Sequence, residues 1–187
     1  MSSEHIIKQT QCWLKTIIIG LNFCPFANRE FQKNSIRYSV VDDNSNNLQS
    51  NLHTLASEFQ YLDQYDNTQT TLLIFSQSLV EFDDFLELID FANQILEDLG
   101  YLGIYQLAHF HPQYCFADAD PDDTSNYTNR SPYPTLHIIR EKSLQHAIES
   151  HPDITEIPNT NIKLANELGT DKMQFLLDTC KNQSHKK

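Results

Sequence analysis

Glycine is scarce in this chain, with four residues in 187, and no segment has the GxGxxG or GxxxxGKS/T spacing of phosphate-binding loops. Such loops need glycine because their backbone approaches the phosphates closely. We therefore expect no dinucleotide or P-loop nucleotide site. Long apolar runs are also missing, since the longest, residues 16–21, is far too short to span a bilayer. No secretory signal is recognisable either, so we expect no membrane association.

Basic residues are few, with 13 lysines and arginines against 25 aspartates and glutamates and a net charge of −12. A surface this negative repels phosphate backbones, so we expect no nucleic-acid partner. The four cysteines, at positions 12, 24, 115 and 180, have no paired spacing. Without an export signal they are expected to be reduced thiols, which predicts a cytoplasmic protein.

Apolar residues make up 40% of the chain, enough for one domain over residues 1–187 with its own core. Apolar periodicity predicts a first helix at residues 4–19, with Ser3 as N-cap and Gly20 at its end. It also predicts helices at 48–62, 82–99 and 143–149, and C-terminal helices within 159–182. Short β-rich runs predict strands at 36–41, 70–75, 104–111 and 135–140, with a long loop over 112–133 before the last strand.

Alternating strands and helices are typical of parallel strands joined by crossovers. The fourth strand has no helix before it, so it is expected to pair antiparallel with a neighbour. The prediction is a single α/β domain with a mixed, mostly parallel four-stranded sheet and helices packed on it. A two-layer α+β arrangement is the alternative.

Histidines occur at the ends of two predicted strands. His109 and His111 share one face at the carboxyl end of the third strand, where ligands bind in open α/β sheets. His137, in the fourth strand, is able to complete a three-histidine site for a divalent transition metal such as zinc or iron. Alternatively, His111 and His137 act as catalytic base and orienting group. The simpler interpretation is that these rings hydrogen-bond the backbone of the loop or the core.

The loop between those strands ends in a cluster of groups suited to a small anion. Arg130 is able to bind a carboxylate or phosphate through two hydrogen bonds. Polar side chains near it in the sequence are able to add hydrogen bonds to the same anion, and these are Asn126, Asn129, Ser131 and Tyr133. Arg140, in the fourth strand, is a further candidate for binding the anion. The alternative is that Arg130 pairs with the loop itself and holds it in place.

Cys24 lies in the turn after the first helix, directly before Pro25. If that turn meets the histidines, Cys24 is a candidate nucleophile or soft metal ligand. A cysteine flanked by Phe23 and Phe26 is otherwise a small buried apolar residue.

Several segments resemble the bacterial domain-of-unknown-function family fourteen-fifteen. The matching segments are residues 20–27 (GLNFCPFA), 110–116 (FHPQYCF), 126–137 (NYTNRSPYPTLH) with 140–141, and 161–169. The family carries no established activity, so the resemblance implies a grouping and candidate positions only. It centres on Phe110-His111-Pro112 and implies that Cys24, His111, Arg130, His137 and Arg140 form the stronger set.

Together these patterns favour an enzyme, a hydrolase or group transferase, acting on a small anionic metabolite with or without a metal. The alternative is a non-catalytic module that binds a metabolite or a protein. The first hypothesis requires Cys24, His111, Arg130 and His137 to converge, because catalytic groups act within hydrogen-bond reach.

Overall fold

A four-stranded sheet forms the centre of the computed structural model, which describes residues 1–149 and 154–182. Its strands are β1 (Ile36–Val41), β2 (Thr70–Phe75), β3 (Tyr105–Phe110) and β4 (Thr135–Arg140), in the order β1-β2-β4-β3. β1 pairs in parallel with β2, and β4 pairs antiparallel with both β2 and β3. The prediction of a single α/β domain with a mixed four-stranded sheet is confirmed. Three strands run in one direction, although only one of the three pairings is parallel, because β4 lies between β2 and β3.

Helices cover both faces of this sheet. They are α1 (Ser3–Trp13), which continues as a π-helical segment (Leu14–Ile19), α2 (Ala27–Gln32), α3 (Leu48–Gln64), α4 (Phe82–Asp98), α5 (Glu141–Glu149), α6 (Ile157–Leu168) and α7 (Thr170–Lys181). Two short 3-10 turns, Thr124–Thr128 and Ile154–Glu156, lie in the connections. Residues 150–153 and 183–187, which the one-domain prediction includes, lie outside the described ranges.

The first helix begins and ends on recognisable signals. The side chain of Ser2, one residue before the predicted Ser3, accepts a hydrogen bond from the backbone N–H of His5. Gly20 follows the π-helical segment, and a Cβ atom there would collide with the carbonyl oxygen of Thr16. This close backbone approach explains why glycine occupies the position.

Two hydrophobic cores lie on opposite faces of the sheet. On one face α3 and α4 pack against the inward side chains of the strands, among them Leu73, Phe75 and Leu136. On the other face α1, α6 and α7 pack against a second set that includes Leu72 and Ile74. All six residues of β2 are buried, which explains its unbroken Thr-Thr-Leu-Leu-Ile-Phe sequence, since a central strand covered on both faces has no polar side. None of the helices in the described ranges is long and apolar enough to cross a membrane.

Candidate functional site

The carboxyl ends of β1, β2 and β3 meet at one edge of the sheet, together with the long loop that leads from β3 into β4. The backbone N–H of His111 donates to the carbonyl of Asn129 at 3.2 Å, and that of Phe75 donates to the carbonyl of Pro134 at 2.9 Å. These bonds bring the loop back across the strand ends. The segments 110–116 and 126–134 are therefore neighbours in space.

His111 is completely buried at this edge, and both of its ring nitrogens are occupied by backbone groups. Nδ1 accepts from the N–H of Gln113 at 3.0 Å, so the ring proton lies on Nε2, which donates to the carbonyl of Leu79 at 2.9 Å. The ring also packs on Phe82 and Phe85, with centroid distances of 5.1 and 5.2 Å. Burial lowers the pKa of His111. A neutral ring held in this way has no lone pair left for a metal or a substrate proton.

The carbonyl that His111 holds belongs to a residue in the left-handed backbone region. Leu79 has a φ of 57°, which costs a non-glycine residue roughly 1–2 kcal/mol. Its N–H donates to Oδ1 of Asn46 at 2.7 Å. Leu79 is therefore fixed on both sides, and His111 has a structural role that accounts for both of its nitrogens.

His109 lies on the same side of the sheet as His111. Its ring is 6.4 Å from that of Phe85 and 5.5 Å from that of Tyr114, and burial lowers its pKa. The two histidines thus share the aromatic cluster around Phe85, as their alternation along the strand indicates.

His137 lies on the opposite face, and the expected cluster of three histidines is not formed. In the β3–β4 register His137 is directly opposite Ala108, whereas His109 is opposite Leu136. Directly opposed residues point to the same face, so the sheet separates the ring of His137 from that of His109. Nε2 of His137 lies 2.5 Å from Oγ1 of Thr70, and burial lowers the pKa of His137 to about 4.

Asn126 organises the loop from inside. It is fully buried, and its Oδ1 accepts from the N–H of Phe116 at 3.0 Å. Its Nδ2 donates to the carbonyls of Asp120 and Pro121, at 2.9 and 3.4 Å. An amide with both ends engaged in this way is a bridge between loop segments, not a group available to a substrate.

Arg130 is also turned toward the loop. Its guanidinium donates to the carbonyls of Tyr114 and Pro121, at 3.3 and 2.8 Å, and lies over the ring of Tyr127 at 4.4 Å from the centroid. The contacts match the alternative in which Arg130 holds its own loop. To bind an anion, the guanidinium of Arg130 would have to give up these hydrogen bonds.

The remaining polar groups of the loop make local contacts. The hydroxyl of the buried Ser131 donates to the carbonyl of Tyr133 at 2.6 Å, and the amide of Asn129 donates to the carbonyl of His109 at 3.5 Å. The hydroxyl of Tyr133 donates to the side chain of Gln9 on α1, and burial raises its pKa. These contacts fasten the loop to β3 and to α1.

Arg140 lies at the opposite edge of the sheet, where β4 ends. Its guanidinium donates to the carbonyls of Leu62, Thr68 and Tyr65, the last two at 3.0 and 3.4 Å. Leu62 lies in the last turn of α3, where carbonyls lack the usual partner four residues on, and its oxygen also accepts from the N–H of the C-cap Tyr65 at 3.3 Å. Arg140 is therefore a cap for α3 and does not join the loop groups.

Cys24 is half-buried in the turn before α2 and packs with the core formed by α1, α6 and α7. Its backbone N–H donates to the carbonyl of Ile18 at 3.3 Å. Burial raises the pKa of its thiol, and the N–H groups of Phe26 and Ala27 offset only part of that effect. This core lies across the sheet from His111, so the predicted set of Cys24, His111, Arg130 and His137 does not converge.

An open groove between α3 and α4 is the feature that the sequence analysis missed. It has a volume of about 750 Å³ and is lined mainly by apolar side chains, among them Leu52, Phe91, Ile95 and Leu99. Phe91 and Leu99 are 40% and 51% exposed. The signal in the sequence is the pair Phe91 and Ile95, four residues apart and displaced from the buried face of α4.

The exposed side of α4 is strongly acidic. The helix contains no lysine or arginine, and its exposed carboxylates are Asp83, Asp84, Glu87, Asp90, Glu97 and Asp98. Asp98 also lines the groove. Asp98 is the one α4 carboxylate in the lining, so the groove combines an apolar floor with a wall formed by the acidic helix α4.

The comparisons with known proteins agree with the resemblance seen in the motifs. A family model described as "Protein of unknown function (DUF1415)" matches residues 5–175. The chain belongs to the DUF1415 family. No curated protein and no solved structure matches it.

The region shared with the DUF1415 model includes the whole sheet, the loop and the groove. The family description names no activity, so a function for this DUF1415 chain has to be argued from its geometry. Within the described residues no group of three or more histidine, cysteine, aspartate or glutamate side chains is arranged to hold a metal. The residues considered for zinc or iron, His109, His111 and His137, are separated by the sheet or bonded to the backbone.

Proposed function

We propose that this chain is a non-catalytic protein-binding module, and that the groove between α3 and α4 accepts a basic amphipathic helix of a partner protein. The observation that carries the proposal is the exposed apolar groove beside an acidic helix. Helix-in-groove recognition uses such surfaces, with apolar anchors at i, i+3, i+4 and i+7 of the bound helix.

The exposed apolar residues of the groove indicate that a partner binds there. Phe91 and Leu99 expose about half of their surface next to Leu52 and Ile95. Exposed apolar patches rimmed by polar residues are typical of interaction sites, whereas single exposed apolar residues are not. The rim here is polar, formed by Asn47, Gln49, Ser50, His53 and Asp98.

The charge of the wall indicates the chemistry of that occupant. A partner carrying lysine or arginine beside its apolar face would be attracted by the carboxylates of α4, whereas an acidic segment or a nucleic acid would be repelled. The residues that line the groove lie within 48–56 of α3 and 91–99 at the end of α4, about 12 Å of helix on each side, so about two turns of a bound helix fit along it.

A synthetic helix tests the proposal directly. The probe is a fluorescein-labelled peptide of about five turns with leucine at helical spacing and lysine elsewhere, followed by fluorescence anisotropy. We expect saturable binding that weakens at least about tenfold in Phe91→Glu, which corresponds to a loss of about 1.4 kcal/mol. Phe175→Glu is the matched control, because Phe175 is an equally apolar residue, 62% exposed, on the remote helix α7.

Two outcomes would contradict the proposal. One is equal affinity of the wild type, Phe91→Glu and Phe175→Glu for the lysine peptide, which would mean that only overall charge is recognised. The other is equal affinity for a peptide in which glutamate replaces each lysine. The second comparison distinguishes the contribution of the α4 carboxylates to binding from that of the apolar floor.

Binding of a small anionic molecule is the second candidate, and its basis is the pair of cations in a polar pocket of about 550 Å³. Arg29 and Lys33 supply positive charge there, although Glu30 and Asp66 in the same lining carry the opposite charge, and Asn67, Gln69 and Ser143 supply neutral polar groups. Calorimetric titration with inorganic phosphate and with a dicarboxylate tests it, since Arg29→Gln should abolish any heat of binding. No response to either anion would remove this candidate.

The expected hydrolase or group-transferase activity stays a prediction. Of its catalytic residues, His111 lies on the face of the sheet that α3 and α4 cover, whereas Cys24 and His137 lie on the other face, so the geometry gives this activity less support than it gives to binding. A bacterial, cytoplasmic setting is part of the proposal. The four free cysteines fit a reducing compartment.

A further inference from the structure

Two cysteines far apart in the sequence have neighbouring sulfur atoms. Sγ of Cys12, on α1, lies 3.1 Å from Sγ of Cys180, on α7, and the residues are 168 positions apart. A disulfide bond is about 2.05 Å long, so the two sulfurs need to approach by only about 1 Å to be bonded.

The surroundings hold the pair in this position. Cys180 is fully buried, whereas Cys12 is half-buried and has the hydroxyl of Thr16 at 3.7 Å from its sulfur. Near them the side-chain amide of Gln9 donates to the carbonyl of Lys181, which ties α1 to α7 independently of the thiols. The contact is therefore part of the helix packing.

We propose that Cys12 and Cys180 form a redox-responsive disulfide site that is closed by hydrogen peroxide. The assignment is independent of the groove between α3 and α4. The two thiols lie in the core around α1 and α7, and neither belongs to the groups considered above for catalysis or binding.

Cys12 is the more exposed of the two residues, so it reacts with the peroxide first and Cys180 reacts second. The thiolate of Cys12 attacks one peroxide oxygen, the O–O bond breaks, and Cys12 becomes a sulfenic acid as hydroxide leaves and takes up the thiol proton to form water. The sulfur of Cys180 then attacks the sulfur of Cys12, and the S–O bond breaks with loss of a second water. One peroxide is reduced and two thiols are oxidised. Burial raises the pKa of Cys180 to about 12, in keeping with its acting second.

The disulfide would join α1 to α7 and close a loop that includes the entire sheet. A cross-link between residues this distant restricts the unfolded chain strongly, so it stabilises the folded state. With typical disulfide stabilisation, the thermal midpoint of a domain this size should rise by about 4–16 °C on oxidation.

The test uses the full chain carrying Cys24→Ser and Cys115→Ser, which leaves only the proposed pair. Hydrogen peroxide should remove both titratable thiols, lower the intact mass by two hydrogen atoms, and raise the thermal midpoint in the monomer. Peptide mapping should find the Cys12 peptide linked to that of Cys180, and dithiothreitol should reverse every change. Peptide mapping of oxidised wild-type protein should find the same link between Cys12 and Cys180 in a chain without substitutions.

Retention of both thiols, oxidation to sulfinic acid without a cross-link, or a linkage only between two chains would overturn the proposal. Cys12→Ser added to the Cys24→Ser, Cys115→Ser chain provides the matched negative control, because Cys180, its remaining thiol, should neither cross-link within the chain nor raise the midpoint. A rise in the midpoint of this triple variant equal to that of the Cys24→Ser, Cys115→Ser chain would also overturn the proposal.

Discussion

The ring of His111 and the backbone of Leu79 form one structural unit. Nε2 of the histidine donates to the carbonyl of Leu79 at 2.9 Å, and Leu79 adopts a φ of 57° that leucine normally avoids. The turn after β2 is therefore held by a side chain from the end of β3. This relationship explains why a histidine at a strand end, expected as a catalytic or metal-binding group, is fully buried.

The first prediction concerns the stability that this unit provides. His111→Ala should lower the free energy of unfolding by roughly 3–5 kcal/mol, because it leaves a cavity and unpairs the buried carbonyl of Leu79 and the N–H of Gln113. Urea unfolding followed by circular dichroism measures the change. His109→Ala is the control, and its half-buried ring should cost clearly less; equal losses in both variants would contradict the structural role of His111.

The second prediction is a loss of stability in acid. Burial lowers the pKa of His109, His111 and His137 from the ordinary value of 6.5, to about 4 for His137. As the pH falls, the unfolded chain therefore binds protons at these histidines before the folded chain does. The free energy of unfolding has its full value above about pH 6.5 and decreases as the pH drops below that value. For His137 the loss continues to about pH 4.

The free energy of unfolding measured between pH 8 and pH 4 tests this second prediction. His137→Gln removes one titrating group while its side-chain amide is still able to donate to Thr70, so the decline should be shallower in that variant. An unchanged slope would show that His137 contributes nothing to the acid sensitivity.

The third prediction concerns the ion pair between β1 and α3. Nε of Arg37 lies 2.7 Å from one carboxylate oxygen of Glu58 and its second nitrogen 3.1 Å from the other, and Glu58 is almost fully buried. Arg37→Met should destabilise the domain by about 2–4 kcal/mol, because it leaves a buried carboxylate unpaired.

A double-variant cycle gives the measurement for this pair. Arg37→Met combined with Glu58→Leu should recover much of the stability lost in Arg37→Met alone, since no unpaired charge remains. Strictly additive losses would mean that the two side chains do not interact in solution.

The fourth prediction distinguishes the two roles considered for Arg130. If Arg130 holds the loop, Arg130→Gln should cost about 1–3 kcal/mol and make residues 112–133 more susceptible to limited proteolysis. Arg29→Gln, at an exposed arginine of α2, should change neither property. A fully stable, protease-resistant Arg130→Gln would contradict the loop-holding role.

Local features of the fold were accessible from the sequence, and long-range pairing was not. The leucine and phenylalanine spacing predicts the helix α3, and the apolar run at residues 72–75 predicts the strand β2. The position of β4 between β2 and β3 depends on contacts between residues more than sixty positions apart, such as Leu72 and His137. A shift of that register by one residue would have put His137 on the face of His109.

In the candidate site, likewise, the sequence indicates the kind of interaction but not the partner. The residue types of the loop, Asn126, Arg130 and Ser131, indicate hydrogen bonding but not the partner. Each of them binds a backbone carbonyl or N–H, and such groups are present at every position of the chain. Their roles therefore become visible only when the path of the backbone is known.

The strand order also has a consequence for how the chain acquires its structure during synthesis. β4 is the last strand to leave the ribosome, yet it lies between β2 and β3. Until residue 140 is available, the apolar β2 has an unpaired edge, which favours association with other chains. Folding should therefore be slow for a domain this size, and nascent chains that stop before β4 should be the form that aggregates.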